Sequence, residues 1–162
     1  MTKDEIYAAT IASALRECES HVAKLRRSRR LLSVFFPLND EGFEGCSEEQ
    51  IEHVDQFIYR FTKLQDAMGM RLLPSLHALL EGNTLPVPFL DVLNKLEKLK
   101  VLPSVEEWQW FRNLRNNLAH DYPESVEQTI LTLNLLFERH EQLLAMFDHV
   151  AGYAQQVLER VE

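Results

Sequence analysis

The sequence predicts an all-α domain, an antiparallel bundle of about five helices spanning residues 1–162, on three observations. Apolar residues recur at three- and four-residue steps through most of the chain, the spacing of a helix that buries one face. No stretch alternates apolar and polar residues in the manner of a half-buried strand. Five glycines and six prolines in 162 residues leave little material for the many turns of an all-β fold. A chain of this length is most simply one domain with a core of its own.

The first helix is expected over residues 4–36, with Ile6, Ala9, Ala14, Leu15, Cys18, Val22, Leu25, Leu32 and Phe36 forming its core stripe. Residues 37–45 read as a loop, because Pro37, the Asn39-Asp40 pair and two glycines crowd together there. Ser47 then caps a second helix, and Gln50 three residues later completes a capping box. That helix runs through Ile51, Val54, Phe57, Ile58, Phe61, Leu64, Met68 and Leu72. Pro74 is expected to kink or divide it, and Gly82-Asn83 to stop it. A short third helix carries Phe89, Val92, Leu93, Leu96 and Leu99 and is expected to end at Pro103. Ser104 and Glu107 make a second capping box for the fourth helix. Pro123 fits the first turn of a long last helix, residues 124–160, with a stripe from Val126 and Ile130 to Phe147.

Apolar residues make up 46% and charged residues 26%, ordinary values for a globular protein, and the net charge of −8 supplies no overall field for nucleic acid. Any contact with a polyanion has to be a local patch. One candidate is the run Lys24-Leu25-Arg26-Arg27-Ser28-Arg29-Arg30, in which Arg26, Arg27, Arg29 and Arg30 form either a solvated helix face or a phosphate-contacting stripe. Cys18 and Cys46 match no metal spacing and suggest no disulfide framework. The start, Met-Thr-Lys-Asp-Glu, lacks a signal peptide and no apolar run reaches membrane-spanning length, so a cytoplasmic protein without membrane contact is expected. No histidine has a glutamate three residues before it, so the Glu-x-x-His pairs of a di-metal bundle are missing and no metal site is expected.

The polar stretch hardest to dismiss as solvated surface is Arg112-Asn113-Leu114-Arg115-Asn116-Asn117-Leu118-Ala119-His120-Asp121-Tyr122. It follows the aromatic run Trp108-Gln109-Trp110-Phe111, and charges beside a buried aromatic wall interact through a lowered dielectric. On a regular helix Trp110, Phe111, Leu114 and Leu118 share the core face, with Trp108 pointing elsewhere, toward an interface. Asn116 and His120 share another face, whereas Arg115 and His120 diverge by about 140°. They converge if the helix ends near residue 119 or if a second subunit supplies one of them.

Arg115, Asn116, His120 and Tyr122 together resemble the R-x4-H-x-Y signature of the HEPN superfamily, especially its HepT-like ribonuclease toxins. The segment Tyr59-Arg60-Phe61-Thr62-Lys63-Leu64-Gln65-Asp66-Ala67 is similar to the helix preceding the motif helix in those proteins. The resemblance implies a HEPN-like helical domain and a metal-independent endoribonuclease toxin, without cofactor, acting as a homodimer with both motifs in one cleft. RNA rather than DNA is the implied substrate, because its 2′-hydroxyl is the nucleophile. His120 suits proton transfer and Arg115 the stabilisation of phosphate charge. Asn116 and Asp121 are expected to support them, and Arg112 to add positive charge for RNA. The resemblance further implies a type VII-like toxin–antitoxin pair, in which a minimal nucleotidyltransferase antitoxin silences the toxin by placing AMP on Tyr122. A non-catalytic HEPN subunit that binds a nucleotidyltransferase or its nucleotide substrate is the alternative, and a helical scaffold with a purely structural cluster is a third.

Overall fold

The computed structural model describes residues 1–82, 85–118 and 125–161, and these form an all-α bundle with no strand among the described residues. Helix α1 (Lys3–Leu32) and helix α7 (Val126–Val161) are the longest, as the sequence predicts. Between them lie α2 (Asp40–Glu44), α3 (Glu48–Ala67), α4 (Leu73–Glu81), α5 (Phe89–Lys98) and α6 (Val105–Leu118). A π-helical turn, Met68–Leu72, joins α3 to α4.

The local signals hold at most helix ends. Ser47 Oγ accepts from the Gln50 N–H while the Gln50 side chain accepts from the Ser47 N–H, a complete capping box. Ser104 Oγ accepts from the Glu107 N–H at 3.0 Å, which is one half of the expected box; the reciprocal bond from the Ser104 N–H to the Glu107 side chain does not form among the described residues. Gly82 ends α4 at φ 65°, a left-handed conformation that costs glycine nothing. Pro74 divides the second helix less than expected. Its ring would crowd the carbonyl of residue 70 in a regular ladder. The π turn relieves this by shifting the bonding, so that the Leu73 N–H donates to the Met68 carbonyl five residues back.

Several expectations are corrected. Helix α1 stops at Leu32 rather than at Phe36, and Ile6 and Ala9 in its first turns and Ile51 in the first turn of α3 face solvent, Ile6 being 50% exposed. The segment after Pro37 contains α2, because Asn39 Oδ1 accepts from the Gly42 N–H and caps a short helix there. Helix α5 ends at Lys98, with Lys100 at φ 64° turning the chain before Pro103 is reached. Phe89 and Leu99 sit at its rim, partly exposed, instead of in its buried stripe. Ser125 caps α7 by accepting from the Gln128 N–H, and Val126 is exposed outside the stripe. Asn83 and residues 119–124, with Pro123, lie outside the described residues.

The tryptophans exchange their expected roles. Trp108 is 1% exposed, whereas Trp110 is only half-buried, edge-on to Phe111 at 5.1 Å and 4.5 Å beneath the Arg139 guanidinium. Trp108 packs where Gly69 opens the π turn: a Cβ at position 69 would stand 3.1 Å from Trp108 Cζ2. The edge of Phe89 closes the other side, 6.4 Å between ring centres. The Arg71 guanidinium ties the same turn to α1, donating to Glu17 at 3.2 Å and Ser13 at 2.9 Å. Trp108→Ala is therefore expected to cost about 3–5 kcal/mol and to lower the thermal midpoint by roughly 6–20 °C for a chain of this size. Trp110→Ala forfeits a half-buried ring's edge contact with Phe111 and one cation–π contact, about 1–2 kcal/mol. Melting curves of the two variants followed by circular dichroism check the order; equal losses contradict this packing.

Two buried histidines make stability depend on pH. His140 holds Nδ1 2.7 Å from the Phe137 carbonyl, so that nitrogen carries the hydrogen, and its ring lies edge-on against Phe57. Burial holds its pKa below the ordinary 6.5, with Glu141 opposing the shift and Arg29 adding to it. His21 is lowered too, first by burial and then by the Arg60 cation beside it. Both groups bind protons less readily folded than unfolded. Their stabilisation is complete above about 6.5, the unfolded value, and is lost as pH falls below it toward the folded pKa values. Urea midpoints are expected to drop between about pH 7 and pH 5. His140→Phe should flatten that slope without removing the part owed to His21.

Candidate functional site

Helix α6 lies antiparallel along α3. Trp108 meets Gly69, Phe111 faces Phe61 at 6.2 Å, and Leu118 reaches the level of Val54 and Ile58. Phe111 and Leu114 are buried with Trp108, and Leu118 is half-buried. On the α3 side of this stripe stand Arg112 and Arg115, three residues and so about 60° apart on the helix. Both reach one carboxylate. Arg112 Nη1 donates to Asp66 Oδ1 and Arg115 Nη2 to Asp66 Oδ2, each at 3.3 Å.

Two guanidinium groups on one carboxylate leave a local charge of +1. Arg115 is the more sequestered of the pair, its side chain 26% exposed against 43% for Arg112. Its Nε is buried and has no hydrogen-bond partner. A guanidinium held by one nitrogen, with a second donor unsatisfied, keeps capacity for an anion of forked geometry such as phosphate. Asp66 is the residue that sequence reasoning missed. It lies in the quoted Tyr59–Ala67 segment, but only the packing of α6 on α3 brings it under two arginines 46 and 49 positions later.

The other expected site residues divide into three groups. Asn116 is exposed on α6 beside Arg115, with Asn117 next to it. Asn117 and Leu118 border a largely apolar cavity of about 420 Å³ whose walls include Phe43, Val54, Ile58 and Leu133. His120, Asp121 and Tyr122 lie outside the described residues, so the Arg115–His120 separation is not part of this geometry. In the basic run, Arg29 is engaged structurally, its Nε 3.0 Å from Glu141 and its guanidinium 5.9 Å from the Phe137 ring. Arg26, Arg27 and Arg30 are exposed at the same end of α1. Among the described residues no group of three His, Cys, Asp or Glu side chains is arranged to hold a metal ion, and Cys18 and Cys46 are free thiols.

Replacing Asp66 with Asn removes the charge that gathers the two arginines. For a half-exposed network the loss is expected to be about 1 kcal/mol. A double-mutant cycle of Asp66→Asn with Arg115→Gln, read by chemical denaturation, should give a coupling of roughly 0.5–1 kcal/mol. Strict additivity of the two changes would mean that the contact holds nothing in place.

No family model matches the chain, nor does any curated protein or solved structure, so its chemistry is read from these residues and their geometry.

Proposed function

We propose that this protein is an RNA-cleaving toxin of the HepT-like type, using Arg115 and His120 as its catalytic pair. The observation that carries the reading is Arg115 itself. It is tethered to Asp66, largely withdrawn from solvent and left with an unpartnered buried donor, five residues before His120 in the R-x4-H-x-Y pattern. The all-α frame and the surplus positive charge over Asp66 agree with it.

In this reading the RNA 2′-hydroxyl attacks the adjacent phosphorus, passing its proton to the His120 imidazole, whose ordinary pKa suits that exchange near neutrality. Negative charge rises on the phosphoryl oxygens, where the Arg115 fork neutralises it with Arg112 close by. The P–O5′ bond breaks, the leaving oxygen takes up a proton, and a 2′,3′-cyclic phosphate and a 5′-hydroxyl result. No metal takes part. Asn116 and Asp121 serve as positioning residues, and two protomers place their motifs in one cleft, which resolves the divergence of Arg115 and His120 on a single regular helix.

A partner nucleotidyltransferase is the proposed antitoxin. It joins the Tyr122 oxygen to the α-phosphorus of ATP and releases pyrophosphate, leaving an AMP whose negative charge repels the substrate phosphate. The proposed compartment is the cytoplasm, where both thiols stay reduced; no helix among the described residues is long and apolar enough to cross a membrane.

Arg115→Ala and His120→Ala are each expected to lower RNA cleavage by about 100-fold or more, while excess EDTA leaves the wild-type rate unchanged. Gel assays on purified protein with a defined RNA read both. Wild-type rates in the two variants would refute the catalytic assignment. A pure preparation that binds a nucleotidyltransferase yet cleaves nothing would favour the non-catalytic subunit.

A further inference from the structure

The outward face of α3 carries a cation cluster that the motif does not use. Lys24, Arg27 and Ser28 of α1 and His53, Gln56 and Arg60 of α3 line a groove of about 240 Å³ with no carboxylate in its walls. Among the described residues none of Lys24, Arg27, Arg60 and Lys63 forms an ion pair, whereas Arg29, Arg71, Lys95, Arg112 and Arg115 all do. Glu49 approaches only His53, at 3.8 Å on the rim. Arg60 donates from Nη1 to His21 Nδ1 at 3.0 Å, which spends a guanidinium hydrogen on a neutral ring rather than on an anion. Its Nε is buried without a partner. In a chain of net charge −8, four cations without an ion pair gather here, although the exposed Glu52 and Asp55 of α3 stand seven and four residues before Tyr59, within about 40° of it around the helix.

Between this groove and the Asp66 clamp stands Tyr59. Tyr59 is 48% exposed, with the Arg60 guanidinium and the Lys63 ammonium over its ring, 5.0 Å and 5.6 Å from the centre. Both cations lie over the ring, so a base that stacks on Tyr59 takes the place of one of them, and the displaced cation is then at hand for the flanking phosphates. Helical geometry sets the direction. Tyr59 and Asp66 are seven residues apart, about 20° around α3 and roughly 10 Å along it, with Lys63 between them. A strand lying on this face would run from the Lys24–Arg27–Arg60 groove, over Tyr59 and Lys63, to Arg112 and Arg115.

We infer that the α1–α3 groove and the Tyr59 platform form a single-strand path that delivers RNA to Arg115, with Tyr59 stacking one base and Lys24, Arg27, Arg60 and Lys63 contacting phosphates. The inference rests on the ribonuclease reading for the destination of the strand, but its binding residues lie outside the catalytic pair. The basic run of α1 enters this path only in part: Lys24 and Arg27 face the groove, and Arg29 belongs to the α1–α7 contact.

The test is binding of the full-length protein to a mixed-sequence, fully 2′-O-methylated RNA of about 12 nucleotides, within the span of single-strand sites. Lacking free 2′-hydroxyls, this probe cannot be cleaved. Tyr59→Ala should weaken binding about 10-fold or more, and Tyr59→Phe should retain it, since stacking needs the ring and not the hydroxyl. Lys24→Gln, Arg27→Gln and Lys63→Gln should each reduce the salt slope by about 0.7. Tyr59, Lys24 and Arg27 are exposed, so these variants are expected to fold, and unchanged melting curves verify it. Binding that all four variants leave intact would overturn the path. So would 5′-AMP competing as strongly as the oligomer, the behaviour of an isolated nucleotide pocket. Should the same variants also cut unmodified RNA at the wild-type rate, the ribonuclease reading stands without the path. Wild-type protein that neither binds nor cuts RNA removes both.

Discussion

The contact between the Trp108 indole and the backbone of Gly69 fixes where the rest of this face can go. A side chain at position 69 would meet the ring at 3.1 Å, tighter than an ordinary contact, so a Cβ there would force the indole back by a few tenths of an ångström. The turn itself follows from Pro74, which cannot continue an α ladder, and from the bond of Leu73 to Met68 that bypasses it. Once Trp108 is seated, the antiparallel run of α6 along α3 leaves little freedom. Stepping forward from Trp108 along α6 means stepping back from Gly69 along α3, first to Asp66 and then to Phe61. Arg112 and Arg115 therefore meet one carboxylate instead of two separate ones, and the charge imbalance over Asp66 is a consequence of packing.

That imbalance matters because of where it is. An exposed arginine–carboxylate pair is worth little, since water screens it and side-chain entropy opposes it. Arg115 differs in being mostly enclosed while only one of its donors is used. A fully satisfied guanidinium would have to break its bonds before taking a phosphate. In Arg115, Asp66 already fixes the orientation of the guanidinium, while the enclosed Nε, unpartnered among the described residues, has to be uncovered before it can reach a phosphate. The same carboxylate that reduces the net positive charge thus lowers the ordering cost of binding an anion.

The parts of the fold legible in the sequence are those set by neighbours in the chain. The Ser47–Gln50 box, the Gly82 stop and the period of the long helices depend on contacts within four residues, and local pattern finds them. The exchange of Trp108 and Trp110 was not legible for a definite reason. The two lie 200° apart on α6, both sides of the helix meet protein, and the choice between them is made by Gly69, some 40 residues earlier. Asp66 and the Arg29–Glu141 pair were hidden in the same way. Motif spacing singled out Arg115 and left Arg112 a peripheral role, whereas the shared carboxylate joins them. Residues 120–122 of the motif stay at the level of the sequence pattern, since the described geometry of α6 runs to Leu118.

Net charge and local charge pull in opposite directions here, and distance decides between them. At physiological ionic strength, fields decay over about 8 Å. A polyanion far from this chain meets a weakly repulsive, screened body of charge −8. At contact it meets only the side chains within a Debye length. Along the α1–α3 groove and the adjoining face of α3 these include Lys24, Arg27, Arg60 and Lys63, none of them paired with a carboxylate among the described residues. In the proposed role, RNA association would gain nothing from long-range steering and would depend on short-range neutralisation and stacking. In that role the protein would discriminate by shape at contact: a flexible single strand could lay a base on Tyr59 while its phosphates reach the groove, whereas a stacked duplex keeps its bases away from the ring.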